Sequence, residues 1–209
     1  MQVFLDLDGT LTDPKEGITL SVAYAMEKLG KPVSDPEELA WVIGPPLRPT
    51  FASMGLDPEE ALRLYRERYT DKGLFENRLY SGIIECLEAI RIDGHIMHLM
   101  TAKPHAYARK ITAHFGLAKF MFNEFGPELD GTRDNKADLL AYALRLTGIA
   151  ASESIMVGDR SHDFDAAHHV GMRAVGVTWG YGSAEELSKA DYICHKPSEL
   201  AELVRKLSA

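Results

Sequence analysis

The pattern of apolar and polar positions divides the chain into three stretches. Residues 2–7 form a short apolar run that ends in acidic residues and a glycine, which predicts a buried strand followed by a sharp turn. From about residue 14 to residue 78, apolar residues recur at helical spacing and no strand-like run is present. From residue 79 onwards, helical and strand-like patterns alternate.

The middle stretch contains signals for the starts and ends of helices. Residues 35–36 and 57–58 are Asp-Pro pairs, each with a capping carboxylate before a proline at the first helical position. Residues 30–32 (Gly-Lys-Pro) end the first helix, and residues 44–46 (Gly-Pro-Pro) form a loop. We therefore predict that this stretch is all-helical.

The last stretch predicts strands separated by helices. The predicted strands are 95–100, 119–123, 154–158, 173–178 and 191–194, and the predicted helices are 82–93, 104–115, 135–147, 163–170 and 197–207. Such alternation favours a parallel sheet with helices on both faces. We expect an α/β fold: a doubly wound parallel sheet formed by residues 1–13 and 79–209, with a small all-helical domain of residues 14–78 inserted after the first strand.

Composition and charge argue against several classes of protein. The net charge is −8 and Lys and Arg form no stripe, so a nucleic-acid polymer is not an expected partner. No apolar stretch approaches the ~18 residues needed to cross a membrane, and the first residues lack the basic segment of a signal peptide. Cys86 and Cys194 stand alone, which indicates reduced, partly buried thiols. We expect a cytoplasmic protein.

Two carboxylates follow the first predicted strand, at the end of a parallel sheet where ligands bind. Asp6 and Asp8 stand two positions apart, so that both side chains can point the same way, and Gly9 permits a sharp turn after them. Neighbouring carboxylates repel unless a cation neutralises them or one of them holds a proton. Both arrangements suit phosphoryl transfer, in which one carboxylate attacks phosphorus and the other handles a proton.

Two further segments supply groups that can hold a phosphate. Thr101 and Ala102 stand between a predicted strand and a helix start, where a hydroxyl and backbone N–H groups can contact phosphate oxygens. Lys136 stands in the first turn of a predicted helix, where the helix dipole disfavours a cation. A lysine there is more understandable if it faces carboxylates and phosphate. Arg133 is a second candidate for that role.

A fourth segment adds another pair of carboxylates. Asp159 follows the predicted strand 154–158, and Asp163 stands four residues later at a helix start, so that the two can converge on one point. Carboxylate oxygens with open positions for water suit Mg²⁺. Asp163 can cap its helix at the same time. We expect His162 to be structural or to lie behind the site, because the neighbouring donors are all oxygens and do not favour zinc.

Together, the four segments resemble motifs of the haloacid dehalogenase-like hydrolases, in particular their phosphatases. The pattern DxDGT after a first strand is similar to the first motif of that family, and Asp8, which the dehalogenating members lack, favours a phosphatase. Thr101, Lys136 and the GDxxxD pattern that ends at Asp163 are similar to the second, third and fourth motifs, in the same order. The resemblance covers the whole chain, and the helical insertion resembles the small helical cap of the family.

The resemblance implies a mechanism and a cofactor. Asp6 is expected to form an aspartyl-phosphate, while Asp8 protonates the leaving group and later accepts a proton from water. Mg²⁺ is implied as the cofactor, held by Asp6, the Asp8 carbonyl and Asp159, with Asp163 binding directly or through water. The residues implied to hold the phosphoryl group are Gly9, Thr10, Thr101, Ala102 and Lys136.

The substrate class stays open between two subgroups. Resemblance to phosphoglycolate phosphatases and to 5'-nucleotidases implies that the cap binds substrate near Gly44 and Arg48, and Arg48 can pair with a carboxylate or a second phosphate. Trp41, Phe51 and Tyr181 are candidates to stack on a base, although each also suits ordinary packing.

Three other functions share parts of this pattern. A response-regulator receiver also combines acidic residues, a Thr and a Lys, but it has no helical insertion and no late GDxxxD segment. A phosphate-binding protein without activity would not need all six polar motif residues, and nothing in the insertion identifies a phosphomutase. We predict a magnesium-dependent phosphatase that acts, as a monomer or homodimer, on a small organophosphate and on no nucleic-acid polymer or membrane.

Overall fold

The computed structural model describes residues 1–208, which form two compact units. The larger unit consists of Met1–Thr12 and the chain from Leu79 onwards, and the smaller unit of Asp13–Arg78. The chain begins with strand β1 (Gln2–Leu5). It enters the smaller unit at the short strand β2 (Thr12–Asp13) and leaves it at β3 (Arg78–Leu79).

The smaller unit is built from helices. These are α1 (Lys15–Lys28), a 3₁₀ segment (Pro36–Val42), α2 (Leu47–Ser53), α3 (Pro58–Arg68) and a π-helical turn (Tyr69–Gly73). Both predicted acidic caps are present, because the side chains of Asp35 and Asp57 accept hydrogen bonds from N–H groups of the segments that they begin.

Aromatic side chains form much of the centre of the smaller unit. Phe51 is fully buried and contacts Tyr65 edge-on, with the ring centroids 6.3 Å apart, and Tyr65 stacks on Tyr69 at 5.0 Å. The suggestion that Phe51 stacks on a base is therefore wrong, since its ring packs inside the helical unit. Trp41 is 51% exposed.

The larger unit contains a six-stranded parallel sheet. Strands β4 (Ile96–Met100), β5 (Met121–Phe125), β6 (Ser154–Gly158), β7 (Arg173–Val177) and β8 (Tyr192–Cys194) join β1 in the order β5-β4-β1-β6-β7-β8. Strand β1 lies inside the sheet, where Leu5 is in register with Leu99 on one side and Val157 on the other. Its residues Val3, Phe4 and Leu5 are apolar and fully buried, because such strands are covered on both faces.

Helices cover both faces of this sheet, which confirms the predicted fold class. They are α4 (Ile83–Ile92), α5 (His105–His114), α6 (Lys136–Thr147), α7 (Ser161–His169), the short α8 (Ala184–Leu187) and α9 (Pro197–Ser208). Helices α6 and α7 pack on one face, around Phe4, Leu140 and Phe164. Helix α4 packs against α9 and β4. None of the helices in residues 1–208 combines the length and apolar character that a membrane span requires.

Candidate active site

The segment after β1 folds into a tight turn that buries two carboxylates. The backbone N–H of Asp6 donates to the carbonyl of Val157 (2.9 Å), which continues the pairing with β6. The Leu7 carbonyl then accepts hydrogen bonds from following N–H groups, and Gly9 adopts a φ of 83° that favours glycine. Asp6 and Asp8 are only 3% and 8% exposed.

Gly9 lets the turn after β1 approach Asp159 closely, and Gly158 makes room for the Asp163 carboxylate within the segment that follows β6. A Cβ atom at Gly9 would lie 2.2 Å from an Asp159 carboxylate oxygen, and a Cβ atom at Gly158 would lie 2.2 Å from an Asp163 carboxylate oxygen. Neither position has room for a side chain. The buried Thr10 lies at the same contact, with its hydroxyl 3.5 Å from Asp159 Oδ1.

Lys136 connects the first and fourth segments. It is the first residue of α6, with a buried side chain, and its Nζ lies 2.8 Å from Asp6 Oδ1 and also contacts Asp163 Oδ1. The predicted lysine therefore faces carboxylates. Residues 126–135 form a loop that separates it from the end of β5.

The second segment lies at the end of β4, as predicted. The backbone N–H of Thr101 donates to the Phe125 carbonyl at 3.0 Å, and the Thr101 hydroxyl oxygen accepts from the Lys103 N–H at 3.1 Å. That hydroxyl keeps its own proton to donate. Ala102 is half-buried beside it.

Lys103 is a buried lysine to which the sequence analysis gave no role. Its Nζ lies 2.7 Å from Asp8 Oδ2, with only 5% of the side chain exposed. The loop after β5 packs close to it, because a Cβ atom at Gly126 would lie 2.6 Å from the Lys103 carbonyl oxygen. The signal available in the sequence was its place between the strand-end Thr101 and Pro104.

Backbone N–H groups orient the two carboxylates that follow β6. Asp163 Oδ2 accepts from the N–H of Arg160 at 3.0 Å and so caps the start of α7, as predicted. Asp159 Oδ2 accepts from the N–H of Tyr181 at 2.7 Å. Each carboxylate therefore has one oxygen bound to the backbone and keeps the other for the site.

His162 lies at the edge of this cluster. Its Nε2 is 4.0 Å from Asp163 Oδ1 and has no hydrogen-bond partner within residues 1–208. Burial lowers the pKa of His162, so the ring is neutral near pH 7. Asp6, His162 and Asp163 each offer a ligand atom, and these atoms lie within 4.8 Å of one another. This group includes a nitrogen donor that the sequence analysis did not place among the metal ligands.

The electrostatics of the cluster follow from burying several carboxylates around one ammonium group. Burial raises the pKa of Asp6 to about 7 against the opposing effect of Lys136, and Asp163 and Asp8 raise it further. Burial, with Asp163 and Asp6 nearby, also raises the pKa of Asp159 well above its usual range. Burial opposes ionisation of Asp163 too, but Lys136 holds the pKa of Asp163 below its usual value.

This charge distribution fits a divalent cation. Asp6, Asp159 and Asp163 are three buried carboxylates with one neighbouring ammonium group, and a buried negative charge is costly unless it is paired. Asp8 Oδ1 is buried and has no hydrogen-bond partner among the described residues. Oxygen ligands of this kind suit a hard divalent ion, so the acidic cluster is able to bind a metal.

Two predicted substrate-binding residues lie in the smaller unit. Gly44 has a φ of 103° in the loop before α2. Arg48, on α2, pairs with Glu59 of α3, and both side chains are exposed. Arg133, in the larger unit, has its guanidinium 4.6 Å from the centre of the Tyr142 ring.

A family model described as haloacid dehalogenase-like hydrolase matches residues 3–177. The chain belongs to this family. The match includes all four motif segments, so the resemblance drawn from them is confirmed.

Several members of the family are similar over most of the chain. The 5'-nucleotidase of Pseudomonas aeruginosa is 42% identical over 99% of this chain and 95% of its own length. The phosphoglycolate phosphatase of Vibrio parahaemolyticus is 29% identical over 97% and 95%. The tyrosine-protein kinase PtkA of Mycobacterium tuberculosis is 39% identical over 90% of this chain but only 65% of its own length.

A solved structure is also similar to this chain over almost its whole length. The crystal structure of a predicted phosphatase from Clostridium acetobutylicum has a TM-score of 0.94, with 37% identity and 98% of both chains covered. Within the haloacid dehalogenase-like family, the chain is a phosphoric monoester hydrolase, as predicted.

Proposed function

We propose that this hydrolase is a Mg²⁺-dependent phosphatase that cleaves a small phosphate monoester through an aspartyl-phosphate. The observation that carries the proposal is the buried Asp6 carboxylate, which lies at the end of β1 with Lys136 Nζ 2.8 Å away. A carboxylate is a weak nucleophile that needs a cation beside it to approach an anionic phosphoryl group. Lys136 supplies such a cation.

In the first step, an Asp6 oxygen attacks phosphorus and the bond from phosphorus to the leaving oxygen breaks. Asp8 gives its proton to that oxygen, so that an alcohol leaves. Lys103 contacts Asp8 Oδ2, so the proposed proton transfer is assigned to Oδ1, which has no hydrogen-bond partner among the described residues. The Thr101 hydroxyl, the Ala102 N–H and Lys136 hold the phosphoryl oxygens, together with the turn at Gly9 and Thr10.

In the second step, water attacks the phosphorus of the aspartyl-phosphate. Asp8 accepts a proton from this water, and the bond between phosphorus and the Asp6 oxygen breaks. Inorganic phosphate leaves, and Asp6 and Asp8 return to their starting protonation states. One carboxylate can serve as acid and then as base because the two steps have opposite proton demands.

The residues that would hold Mg²⁺ are Asp6, Asp159 and the backbone carbonyl of Asp8. Bound there, Mg²⁺ would offset the negative charge of the carboxylates and of the phosphoryl group. Asp163 already pairs with Lys136 and caps α7, which supports an indirect role in which it orients Lys136 and reaches the metal through water.

The proposed substrates are phosphoglycolate or nucleoside 5'-monophosphates, because relatives named for both activities match almost the whole chain. Gly44 and Arg48 of the helical cap are the proposed substrate-selecting residues. We place the enzyme in the cytoplasm, as a monomer or homodimer.

Transfer of the phosphoryl group to a tyrosine hydroxyl is a second candidate function, favoured by the 39% identity to the kinase PtkA. The match covers 65% of that protein. The attack by Asp6 on phosphorus would be the same in both functions, and only the group that accepts the phosphoryl from Asp6 would differ. The acceptor therefore distinguishes the two functions.

The deciding experiment measures phosphate release with Mg²⁺ from phosphoglycolate, nucleoside 5'-monophosphates, sugar phosphates and an aryl phosphate. We expect one class to lead by more than about tenfold in kcat/KM, which is ~1.4 kcal/mol of discrimination. Asp6→Asn should lower kcat by roughly four orders of magnitude. The exposed Asp165→Asn, whose carboxylate pairs with Lys189 on the surface, is the matched control and should leave kcat unchanged.

Activity of Asp6→Asn near that of the wild type would contradict the assigned nucleophile. Label transfer from ATP to a tyrosine peptide without phosphate release would favour the kinase function. Exchange of phosphate between substrate positions would identify a mutase, and binding without any turnover would leave a phosphate-binding protein.

A further inference from the structure

The loop after β7 touches two of the four motif segments, although it contributes no acidic or basic side chain. This β7 loop consists of residues 179–182 (Trp-Gly-Tyr-Gly). The indole Nε1 of Trp179 donates to the backbone carbonyl of Thr10 at 3.0 Å. Two residues later, the backbone N–H of Tyr181 donates to Asp159 Oδ2 at 2.7 Å.

The two glycines of the loop allow this approach. A Cβ atom at Gly180 would lie 2.4 Å from the Cβ of Asp159 and equally close to the Gly9 carbonyl oxygen. A Cβ atom at Gly182 would lie 1.8 Å from the Asp159 carbonyl oxygen. The β7 loop is therefore packed directly against the turn after β1 and the residue after β6.

We propose that the β7 loop is a positioning element that fixes the Asp159 carboxylate so that only Oδ1 is offered to Mg²⁺. The inference rests on the proposed function, since it concerns the metal site of that phosphatase. Trp179 is a positioning residue in this scheme, because it acts through Thr10 and Asp159 and touches neither metal nor substrate.

The two carboxylate oxygens of Asp159 have different hydrogen-bond partners, which supports the proposal. Oδ2 is engaged by a short hydrogen bond from the Tyr181 N–H, while Oδ1 has only the Thr10 hydroxyl, at 3.5 Å. A carboxylate held in this way can bind a cation through one oxygen at a fixed position. Groups that orient a ligand from behind commonly change metal affinity by about 10–100-fold when they are removed.

Trp179 links this geometry to the nucleophile. Its hydrogen bond holds the Thr10 carbonyl, and the backbone of Thr10 belongs to the turn that carries Asp6 and Asp8. Loss of the bond should let the turn and Asp159 shift relative to each other. The metal ligands on the two segments would then be less well arranged for one ion.

The test compares the two tryptophans of the chain. Trp179→Phe keeps the apolar ring and removes the N–H donor, and Trp41→Phe makes the same change at a half-exposed position of the smaller unit. Mg²⁺ binding is measured by titration calorimetry without substrate, and the melting temperature is measured in chelator. We expect Trp179→Phe to weaken Mg²⁺ binding about tenfold and Trp41→Phe to leave it unchanged.

Gly180→Ala gives a second variant with a larger expected effect, because the added methyl group would displace Asp159. Gly94→Ala is its control: at a φ of 78° the added Cβ strains the backbone, but no other atom lies within 4 Å of it, so Mg²⁺ binding should stay unchanged. Saturating Mg²⁺ should restore phosphate release by Trp179→Phe to near the wild-type rate, because the bound ion would draw its ligands on the two segments back together. A loss of rate that persists at saturating Mg²⁺ would overturn the proposal.

Two further measurements separate this inference from the proposed function. In one outcome the wild type binds Mg²⁺, Asp159→Asn binds it more weakly, and Trp179→Phe binds it as tightly as the wild type. The β7 loop then does not position the Asp159 carboxylate, and the phosphatase proposal stands. If the wild type itself binds no Mg²⁺, then the metal dependence of the proposed function fails and the inference fails with it.

Discussion

Ion pairs with the same N–O distance differ in burial between the two units. In the larger unit, Lys136 Nζ and Asp6 Oδ1 are 2.8 Å apart with side chains 3% and 4% exposed. In the smaller unit, Arg63 and Glu60 also approach to 2.8 Å, but their side chains are 57% and 46% exposed. Exposed pairs of this kind contribute about 0–1 kcal/mol, because water screens them. Burial, and not distance, therefore distinguishes the two pairs.

The two kinds of pair also differ in how the sequence creates them. Arg63 and Glu60 are three residues apart on one helix, so the pair follows from helical spacing. Asp6 and Lys136 come from distant parts of the chain and meet because the sheet brings the end of β1 to the start of α6. Burying two charges costs desolvation free energy, and this pair forms only when distant parts of the chain have folded together. Such a pair is therefore a candidate for a functional role.

The largest effect is expected from Lys136→Met. Removing the ammonium leaves Asp6 and Asp163 buried without their partner, which should lower the free energy of unfolding by about 3–5 kcal/mol. Phosphate release should fall as well, because Asp6, the proposed nucleophile, loses its neighbouring cation. Urea unfolding in chelator measures the first effect. The control Lys189→Met breaks the exposed pair with Asp165, so an equal loss of stability in both variants would contradict the argument from burial.

A smaller effect is expected from Lys103→Met, which removes the ammonium group 2.7 Å from Asp8. Asp8 would then be less well held for proton transfer. Complete loss of general acid–base catalysis lowers a reaction rate by about 10²- to 10⁴-fold. We expect kcat to fall at the lower end of that range or below it, with a smaller change in KM. Steady-state kinetics on an aryl phosphate give both values. If only KM rises, Lys103 binds substrate and does not position Asp8.

His98 tests the cost of burial outside the active site. It is fully buried on β4 and stacked on Phe4, with Nε2 2.9 Å from Gln2 Oε1 and Nδ1 3.2 Å from Asn123 Nδ2. These contacts suit a neutral ring, and burial lowers the pKa of His98 from 6.5 to about 4. Between those values the unfolded chain binds the extra proton, so folding stability should fall as the pH falls from 6.5 towards 4.

The variant His98→Gln should remove that acid sensitivity. We expect the difference in unfolding free energy between pH 7.5 and pH 5 to shrink by about 1–2 kcal/mol, measured by urea unfolding at both values. His169→Gln, on the exposed end of α7, is the control and should retain the wild-type pH dependence. A pH dependence that is the same in all three proteins would mean that His98 is not the group responsible.

The smallest effect on stability is expected from Arg48→Ala, since the pair with Glu59 is exposed. The free energy of unfolding should change little, as it should for Arg63→Ala in the same unit, because water screens exposed pairs. If Arg48 selects the substrate, its variant alone should raise KM for one substrate class more than for an aryl phosphate. Equal changes across all substrates would leave Arg48 a surface residue.

The sequence could predict the parts of the site that depend on residue type. The sequence shows directly where carboxylates, a hydroxyl and a lysine follow predicted strands or begin predicted helices. Parallel strands bring their carboxyl ends to one edge of the sheet. The positions of Asp6, Thr101 and Asp159 followed from this reasoning. Asp163 could also be predicted as a helix cap, and it accepts the backbone N–H of Arg160 as a cap should.

Other parts could not be predicted because their signals are not specific to a residue type. Most lysines are exposed, so the sequence gives no reason to expect a buried one at this position. Lys103 is buried because the fold places it beside Asp8. The N–H that binds Asp159 belongs to the backbone of Tyr181, which any residue except proline could supply. The glycines on either side of Tyr181 were a signal, but glycines also occur in many loops without a site. Phe51 could not be distinguished from an exposed aromatic because its burial depends on the helices around it.

The interior position of β1 also determines when the protein can fold during its synthesis. Leu5 is in register with Leu99 and Val157, so the strand made first has neighbours that the ribosome delivers only after about a hundred and about a hundred and fifty further residues. At about 5–20 residues per second, the second neighbour arrives on the order of ten seconds later. Until β6 is made, at least one edge of this apolar strand stays unpaired and open to pairing with another chain.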